Sequence, residues 1–243
     1  MPKGKSLANK KKAMADLKKI YILHGWAYST EKWNDFTRLL NYRGLSSVIL
    51  NIPGLTEETD KVWALPDYVE WLKKKTAGEQ VTLVGHSNGG RIALAFGLKY
   101  PELTRQLVLI DSAGIRPNGF VIRAKRFVFK TLAKFGKKIN SSEKLRSMIY
   151  KLARERDYPD ATPQMRETMA NLISVDLKPE LAKINTPTLI IWGEKDKSTP
   201  LADGIIMNKN IKGSKLHIIK GARHSPQFTH TEEVVNIITS EIA

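Results

Sequence analysis

Cysteine is absent from the 243-residue sequence. That excludes disulfide scaffolds, thiolate metal sites, iron–sulfur clusters and cysteine nucleophiles. No apolar run approaches the roughly 18 residues needed to cross a bilayer. The N-terminus is basic but lacks the apolar segment of a secretory signal, so a soluble cytoplasmic protein is expected. No phosphate loop, dinucleotide fingerprint or metal-ligand spacing is present, and no cofactor is expected. Acidic residues are in short supply, 24 against 40 Lys and Arg, for a net charge of +16. What remains is ordinary: 42% apolar and 26% charged residues make one large domain, or a domain with an insertion, the natural expectation.

The excess charge sits in two segments on a neutral body. Residues 1–19 hold seven Lys and one Asp, and residues 116–157 hold thirteen Lys/Arg against three Asp/Glu. Such blocks suit an anionic partner, lipid or nucleic acid, or serve solubility alone.

From Lys19 short β-branched runs alternate with amphipathic stretches. The runs are 20–23, 47–50, 81–84, 107–110, 188–191 and 216–219, apolar on both faces as buried parallel strands require. The stretches at 31–42, 66–77, 89–99, 200–209 and 228–241 are predicted helices. This rhythm implies an α/β fold, a mostly parallel six-stranded sheet flanked by helices on both faces. One interval breaks it: 77 residues separate Ile110 from Thr188, far too many for one crossover. Residues 116–180 are read as an inserted helical subdomain, 1–18 as a basic tail, and 19–115 with 181–243 as the core. Within the insertion, 120–135 has a 3.6-residue period. Phe120, Ala124, Phe127, Val128, Thr131 and Phe135 share one face, opposite Arg123, Arg126, Lys130 and Lys134. The apolar face, through Phe120, Phe127, Val128 and Phe135, is a candidate substrate pocket; the basic face is solvated or docks on an anionic surface.

The strongest local signal is Gly85-His86-Ser87-Asn88-Gly89, between a predicted strand and a predicted helix, the context of a nucleophile elbow. The tight turn strains Ser87 and presents its hydroxyl at the sheet edge, while Gly85 and Gly89 let neighbouring chain pass close by. A hydroxyl needs a base. Of five histidines, His86 adjoins the serine and is expected to point away from it. His217 lies within a strand, His230 within the last helix on its exposed side, and His24 closes the first strand. His224 sits in the loop after the last strand, where open α/β sheets build their sites, and is the best base. The orienting acid is expected in Trp192-Gly193-Glu194-Lys195-Asp196, with Asp196 favoured and Asp111 its rival. The backbone N–H groups of Asn88 and Trp26 are the candidate oxyanion donors.

Together these residues resemble the α/β-hydrolase superfamily, from about Lys19 to the C-terminus. His24-Gly25-Trp26, with Trp33, looks like the oxyanion loop of esterase-type members. Gly85 to Gly90 matches the elbow, Trp192 to Asp196 the acid loop, and Gly221-Ala222-Arg223-His224 the histidine loop. The resemblance implies a fold lacking the family's first strands, with the insertion as a helical cap. It also implies a catalytic triad of Ser87, Asp196 and His224. Arg156-Asp157-Tyr158 through Asp176-Leu177 is similar to hydrolases of meta-cleavage products, which split carbon–carbon bonds. Those relatives usually have Asn where this chain has His86, and an aromatic where it has Ser225.

The expected activity is therefore hydrolysis of carboxylic esters, with lactones as further substrates, through an acyl-enzyme. The alternative reaction is carbon–carbon cleavage of diketo acids. An alternative of another class is a basic lipid- or nucleic-acid-binding protein on a hydrolase scaffold.

Overall fold

The computed structural model describes residues 19–27, 29–116 and 162–242. Its strands are β1 (Lys19–Leu23), β2 (Ser46–Ile49), β3 (Val81–His86), β4 (Thr104–Ile110), β5 (Thr188–Gly193) and β6 (Lys215–Ile219). They form one sheet in the order β2-β1-β3-β4-β5-β6, every neighbouring pair parallel. The six runs of β-branched and aliphatic residues are these strands, and the central β3 and β5 are buried along their whole length. Residues of alternate parity face opposite sides. Tyr21, Leu23, Leu83, Leu107, Leu109, Ile190 and Trp192 enter one apolar cluster. Ile20, Ile22, Val84, Val108, Ile110, Leu189 and Ile191 enter the other.

Helices cover both layers. On the Trp192 side lie α2 (Leu65–Lys75), α3 (Asn88–Lys99) and α5 (Leu201–Asn210). On the other lie α1 (Asn34–Tyr42) and α7 (Thr231–Glu241). The single helix expected at 228–241 is two pieces, α6 (Pro226–Thr229) and α7. His230, with φ −135° and ψ 45°, breaks the helix between them and is half-buried rather than exposed on a helix face. Pro226 opens the first piece early, its fixed φ suiting a first helical position.

Residues 117–161 lie outside the described residues, and with them most of the expected insertion, including 120–135. Its described end holds α4 (Pro163–Ser174), capped by Thr162, whose side chain accepts the Met165 N–H. Thr168 Oγ1 of α4 accepts the Trp63 N–H at 2.9 Å, and Leu172, Leu177 and Leu181 are buried in the Trp192-side cluster. No helix among the described residues is long and apolar enough to cross a membrane.

The strand ends meet α3 with almost no space between backbones. A Cβ on Gly85 would lie 2.6–2.7 Å from Gly90 backbone atoms. One on Gly89 would collide with the Leu23 carbonyl, and one on Gly90 with the Ser112 hydroxyl. Helix propensity alone favours Gly→Ala by roughly 0.5–1 kcal/mol. At Gly89 the obstacle is rigid backbone, and overpacking of that kind costs about 1–3 kcal/mol or more. Gly89→Ala is therefore expected to lower the urea midpoint. Gly97→Ala, whose Cβ would meet only the movable Leu107 side chain at 3.1 Å, is expected to stay within about 1 kcal/mol of wild type. Equal midpoints for the two variants would contradict this account of the elbow.

Candidate active site

Five loops, those after β1, β3, β4, β5 and β6, converge at the C-terminal edge of the sheet. β3 ends at His86, and Ser87 turns the chain directly into α3 with φ 52° and ψ −118°. A non-glycine residue in the left-handed region is strained and persists only where its surroundings over-determine it. Here the Ser87 N–H bonds the Ile110 carbonyl at 3.1 Å, and the Ser87 carbonyl accepts the Ala113 N–H at 2.8 Å. The loop after β1 closes over the same turn. A Cβ on Gly25 would lie 3.0 Å from both Ser87 Cβ and His86 Nδ1, so the Gly25 backbone rests against the elbow. Trp26 follows it, half-buried, and Asn88 opens α3, buried. The Trp26 indole nitrogen and the Asn88 amide nitrogen are buried with no hydrogen-bond partner among the described residues.

The loop after β5 carries both acids expected there, and they part company. The Glu194 carboxylate accepts the Gly221 N–H at 2.8 Å, tying the acid loop to the histidine loop. Asp196 turns the other way, with its side chain fully buried. Its Oδ1 accepts the Ser198 N–H at 2.7 Å and the Thr199 N–H at 3.2 Å. Its Oδ2 lies 2.7 Å from Thr199 Oγ1 and 2.8 Å from His224 Nδ1. A carboxylate can only accept, so His224 carries its proton on Nδ1 and keeps the Nε2 lone pair free to take another.

Asp111, the rival acid, follows β4 directly with φ 42° and stands 3.9 Å from His224 Nδ1. Its oxygens are spent on backbone: Oδ1 accepts the Gly193 N–H and Oδ2 the Ser225 N–H, each at 2.8 Å. It ties β4 to β5 and to the residue after His224. Ser225 itself is held at φ 111°, and its Oγ lies 3.3 Å from His86 Nε2. Full burial pushes Asp111 up to about 7, against the two N–H bonds that pull it down.

His86 is buried, its ring centroid 4.8 Å from that of His224 and 6.1 Å from Trp33. Desolvation, then the neighbouring His224 and His24, hold it well below the ordinary histidine range, so it is neutral. His217 lies on the edge strand β6, 3.7 Å from Glu241. His24 is buried and bonds Thr56 and the Gly25 carbonyl.

The structure thus joins Asp196 to His224 and packs the His224 ring, tilted by 44°, against that of His86, the neighbour of Ser87. Asn88 follows Ser87 at the start of α3, and Gly25, the residue before Trp26, packs against that turn. Phe120, Phe127, Val128 and Phe135 lie outside the described residues. Ligating atoms of His86, Asp111 and His224 fall within 4.8 Å of one another. Both Asp111 oxygens accept backbone N–H groups and His224 Nδ1 bonds Asp196, so the three residues are knit into the hydrogen-bond network of the site. The arrangement holds an imidazole in one tautomer through Asp196 and a hydroxyl on a strained turn at the same sheet edge, the two kinds of group that acyl transfer uses.

Comparison with known proteins places the fold in a family. The family described as alpha/beta hydrolase fold matches residues 18–157, more than half of the chain. The chain is 27% identical to a pimeloyl-(acyl-carrier protein) methyl ester esterase of Neisseria meningitidis, over 91% of this chain and 93% of the relative. It is 24% identical to a 2-hydroxy-6-oxononadienedioate/2-hydroxy-6-oxononatrienedioate hydrolase of Escherichia coli K12, over 92% and 86%. Among solved structures, a bacterial membrane phospholipase A superposes with TM-score 0.70 at 21% identity, covering 98% of this chain and 90% of that one. A meta-cleavage product hydrolase from Pseudomonas fluorescens gives 0.65 at 16%, covering 92% and 89%. At such identities these structures speak for the fold alone.

An acid whose folded-state pKa is raised holds its proton more tightly in the native chain, so ionising it costs stability. For Asp111 that cost is absent below the ordinary 3.8 and grows as pH rises toward 7. Asp111→Asn cannot titrate, though it loses an acceptor and starts from a lower level. The gap in urea midpoint between wild type and Asp111→Asn is expected to narrow from pH 5 to pH 8. A constant or widening gap would contradict the raised pKa.

Proposed function

The chain belongs to the alpha/beta hydrolase fold family, and we propose that the bond it hydrolyses is a carboxylic ester, with lactones as further substrates. The observation that carries this reading is the 2.8 Å bond from His224 Nδ1 to the buried Asp196 carboxylate, in a chain whose Ser87 sits on a strained strand-to-helix turn. In this reading Ser87 Oγ attacks the ester carbonyl carbon as its proton passes to His224 Nε2. Asp196 stabilises the imidazolium that results. The oxyanion is received by the backbone N–H groups of Asn88 and Trp26. The proton on His224 then goes to the leaving alcohol, and the acyl group remains on Ser87. Water, deprotonated by His224, attacks the acyl-serine; the acid leaves and Ser87 regains its proton. Every step uses groups of this chain and water.

The likeness to a methyl ester esterase over more than nine-tenths of both chains supports the ester. A carbon–carbon hydrolase is similar at nearly the same level, so the competing reaction is attack of the same serine on a ketone, with a carbon leaving group. His86 favours the ester. Packed between Trp33 and His224, it stands where relatives that cleave carbon–carbon bonds usually have Asn.

The test is steady-state turnover of chromogenic esters of graded chain length, lactones and a vinylogous diketo acid. Ester turnover is expected to exceed diketo-acid cleavage. Ser87→Ala should lower kcat by roughly 10⁴–10⁶-fold with the fold intact, and Asp196→Asn by about 10⁴-fold, since an amide in that place selects the wrong tautomer. Diketo-acid cleavage without ester turnover would transfer the assignment to the carbon–carbon reaction. Ester turnover in Ser87→Ala near the wild-type rate would remove the mechanism.

A further inference from the structure

We infer that Thr56 is a positioning residue for the oxyanion hole, acting through His24 on the peptide that carries the Trp26 N–H. The inference rests on the proposed serine mechanism and adds a residue to it.

The proton positions follow from the partners. His24 Nδ1 lies 2.7 Å from the Gly25 carbonyl, which can only accept, so Nδ1 carries a proton. His24 is fully buried, and desolvation holds it below the ordinary histidine range, so the ring is neutral and Nε2 is a lone pair. The partner of Nε2 is Thr56 Oγ1 at 2.9 Å, which must therefore donate its hydroxyl proton. Thr56 Oγ1 in turn accepts the Ile52 N–H at 2.9 Å, and the Thr56 N–H returns to the Ile52 carbonyl at 3.0 Å. The chain of donors runs one way, from Ile52 N–H to Thr56 hydroxyl to His24 ring to Gly25 carbonyl.

The last link bears on catalysis. The Gly25 carbonyl and the Trp26 N–H belong to one planar trans peptide and point in opposite directions. Fixing the carbonyl aims the N–H. This peptide begins at the Gly25 Cα, whose missing Cβ would lie 3.0 Å from Ser87 Cβ, so the peptide being fixed leaves from a backbone packed against the nucleophile's own turn. A bond at the far end of the peptide also polarises it, strengthening the donor. An oxyanion hole acts by being in place before charge develops. A hydrogen-bonded ring anchored to the 52–56 turn supplies that fixity, where a Gly-containing loop alone would leave the peptide free to rotate.

The experiment compares wild type, Thr56→Val and Thr56→Ser. Valine keeps the shape and deletes the donor; serine keeps the donor. Three quantities are measured: kcat and KM for a chromogenic ester, the inhibition constant of a trifluoromethyl ketone that forms a tetrahedral oxyanion adduct, and the thermal midpoint. Thr56→Val is expected to lower kcat roughly 10- to 100-fold, a fraction of what loss of a whole oxyanion donor costs. KM should stay within about twofold, because ground-state binding does not use the hole. The ketone should weaken by the same factor as kcat, and Thr56→Ser should restore most of both. Unchanged kcat in Thr56→Val, with wild-type ester turnover intact, would overturn the inference alone. An equal loss in Thr56→Ser would also overturn it, because serine keeps the donor. A wild type that turns over no ester would overturn the proposed function and the hole with it. Should Thr56→Val not fold, nitrogen-15 NMR of the wild-type His24 ring decides the matter. The proton is expected on Nδ1, and a proton on Nε2 instead would contradict the donor chain.

Discussion

The site depends on how closely the end of β1 and the loop after β4 approach the N-terminus of α3. Gly89 lies so near the Leu23 carbonyl, and Gly90 so near the Ser112 hydroxyl, that neither could carry a side chain. This contact brings the loop after β1 against Ser87 on one side and the loop after β4 against it on the other. It also forces the left-handed turn that puts Ser87 at the edge of the sheet. Interior packing has no slack to absorb a misfit, so the chain accepts strain at Ser87, Asp111 and Ser225, all within one cluster. Such strain is held in place by the bonds around it, and here those bonds are the two carboxylates and the strand ends.

The two buried carboxylates divide the labour. Asp196 receives two N–H groups on one oxygen and the His224 ring on the other, which suits an acid that must orient an imidazole and face its charge. Asp111 spends both oxygens on the backbone of Gly193 and Ser225. It builds the frame in which His224 stands, and burial leaves it titrating at about 7. His86 fills the space on the other side of the His224 ring as a neutral apolar-like wall.

Much of this was legible in the chain. Buried parallel strands read as unbroken β-branched runs because both faces are covered, and all six expected runs are strands. Ser87, Asp196 and His224 were legible as chemistry-bearing residues just after strands, the edge where such sheets collect their loops. Less visible were contacts between residues distant in sequence. Asp111 reaches across 82 residues to Gly193 and 114 to Ser225, and nothing local to any of the three announces it. The His86–His224 ring contact is equally non-local. Thr56 gave no signal, since a threonine in a loop is unremarked until its hydroxyl is found on a buried ring. The split of the last helix hinged on the His230 backbone, which a smooth apolar period through 228–241 conceals.

The account turns on Ser87 carrying a covalent acyl group. The direct measurement is mass spectrometry of the chain quenched during turnover of an activated ester, with peptide mapping. The account predicts one acyl equivalent per chain, on the peptide containing Ser87, and none in Ser87→Ala. Acyl transfer to another residue, or steady turnover by a chain that never acquires the added mass, would contradict it.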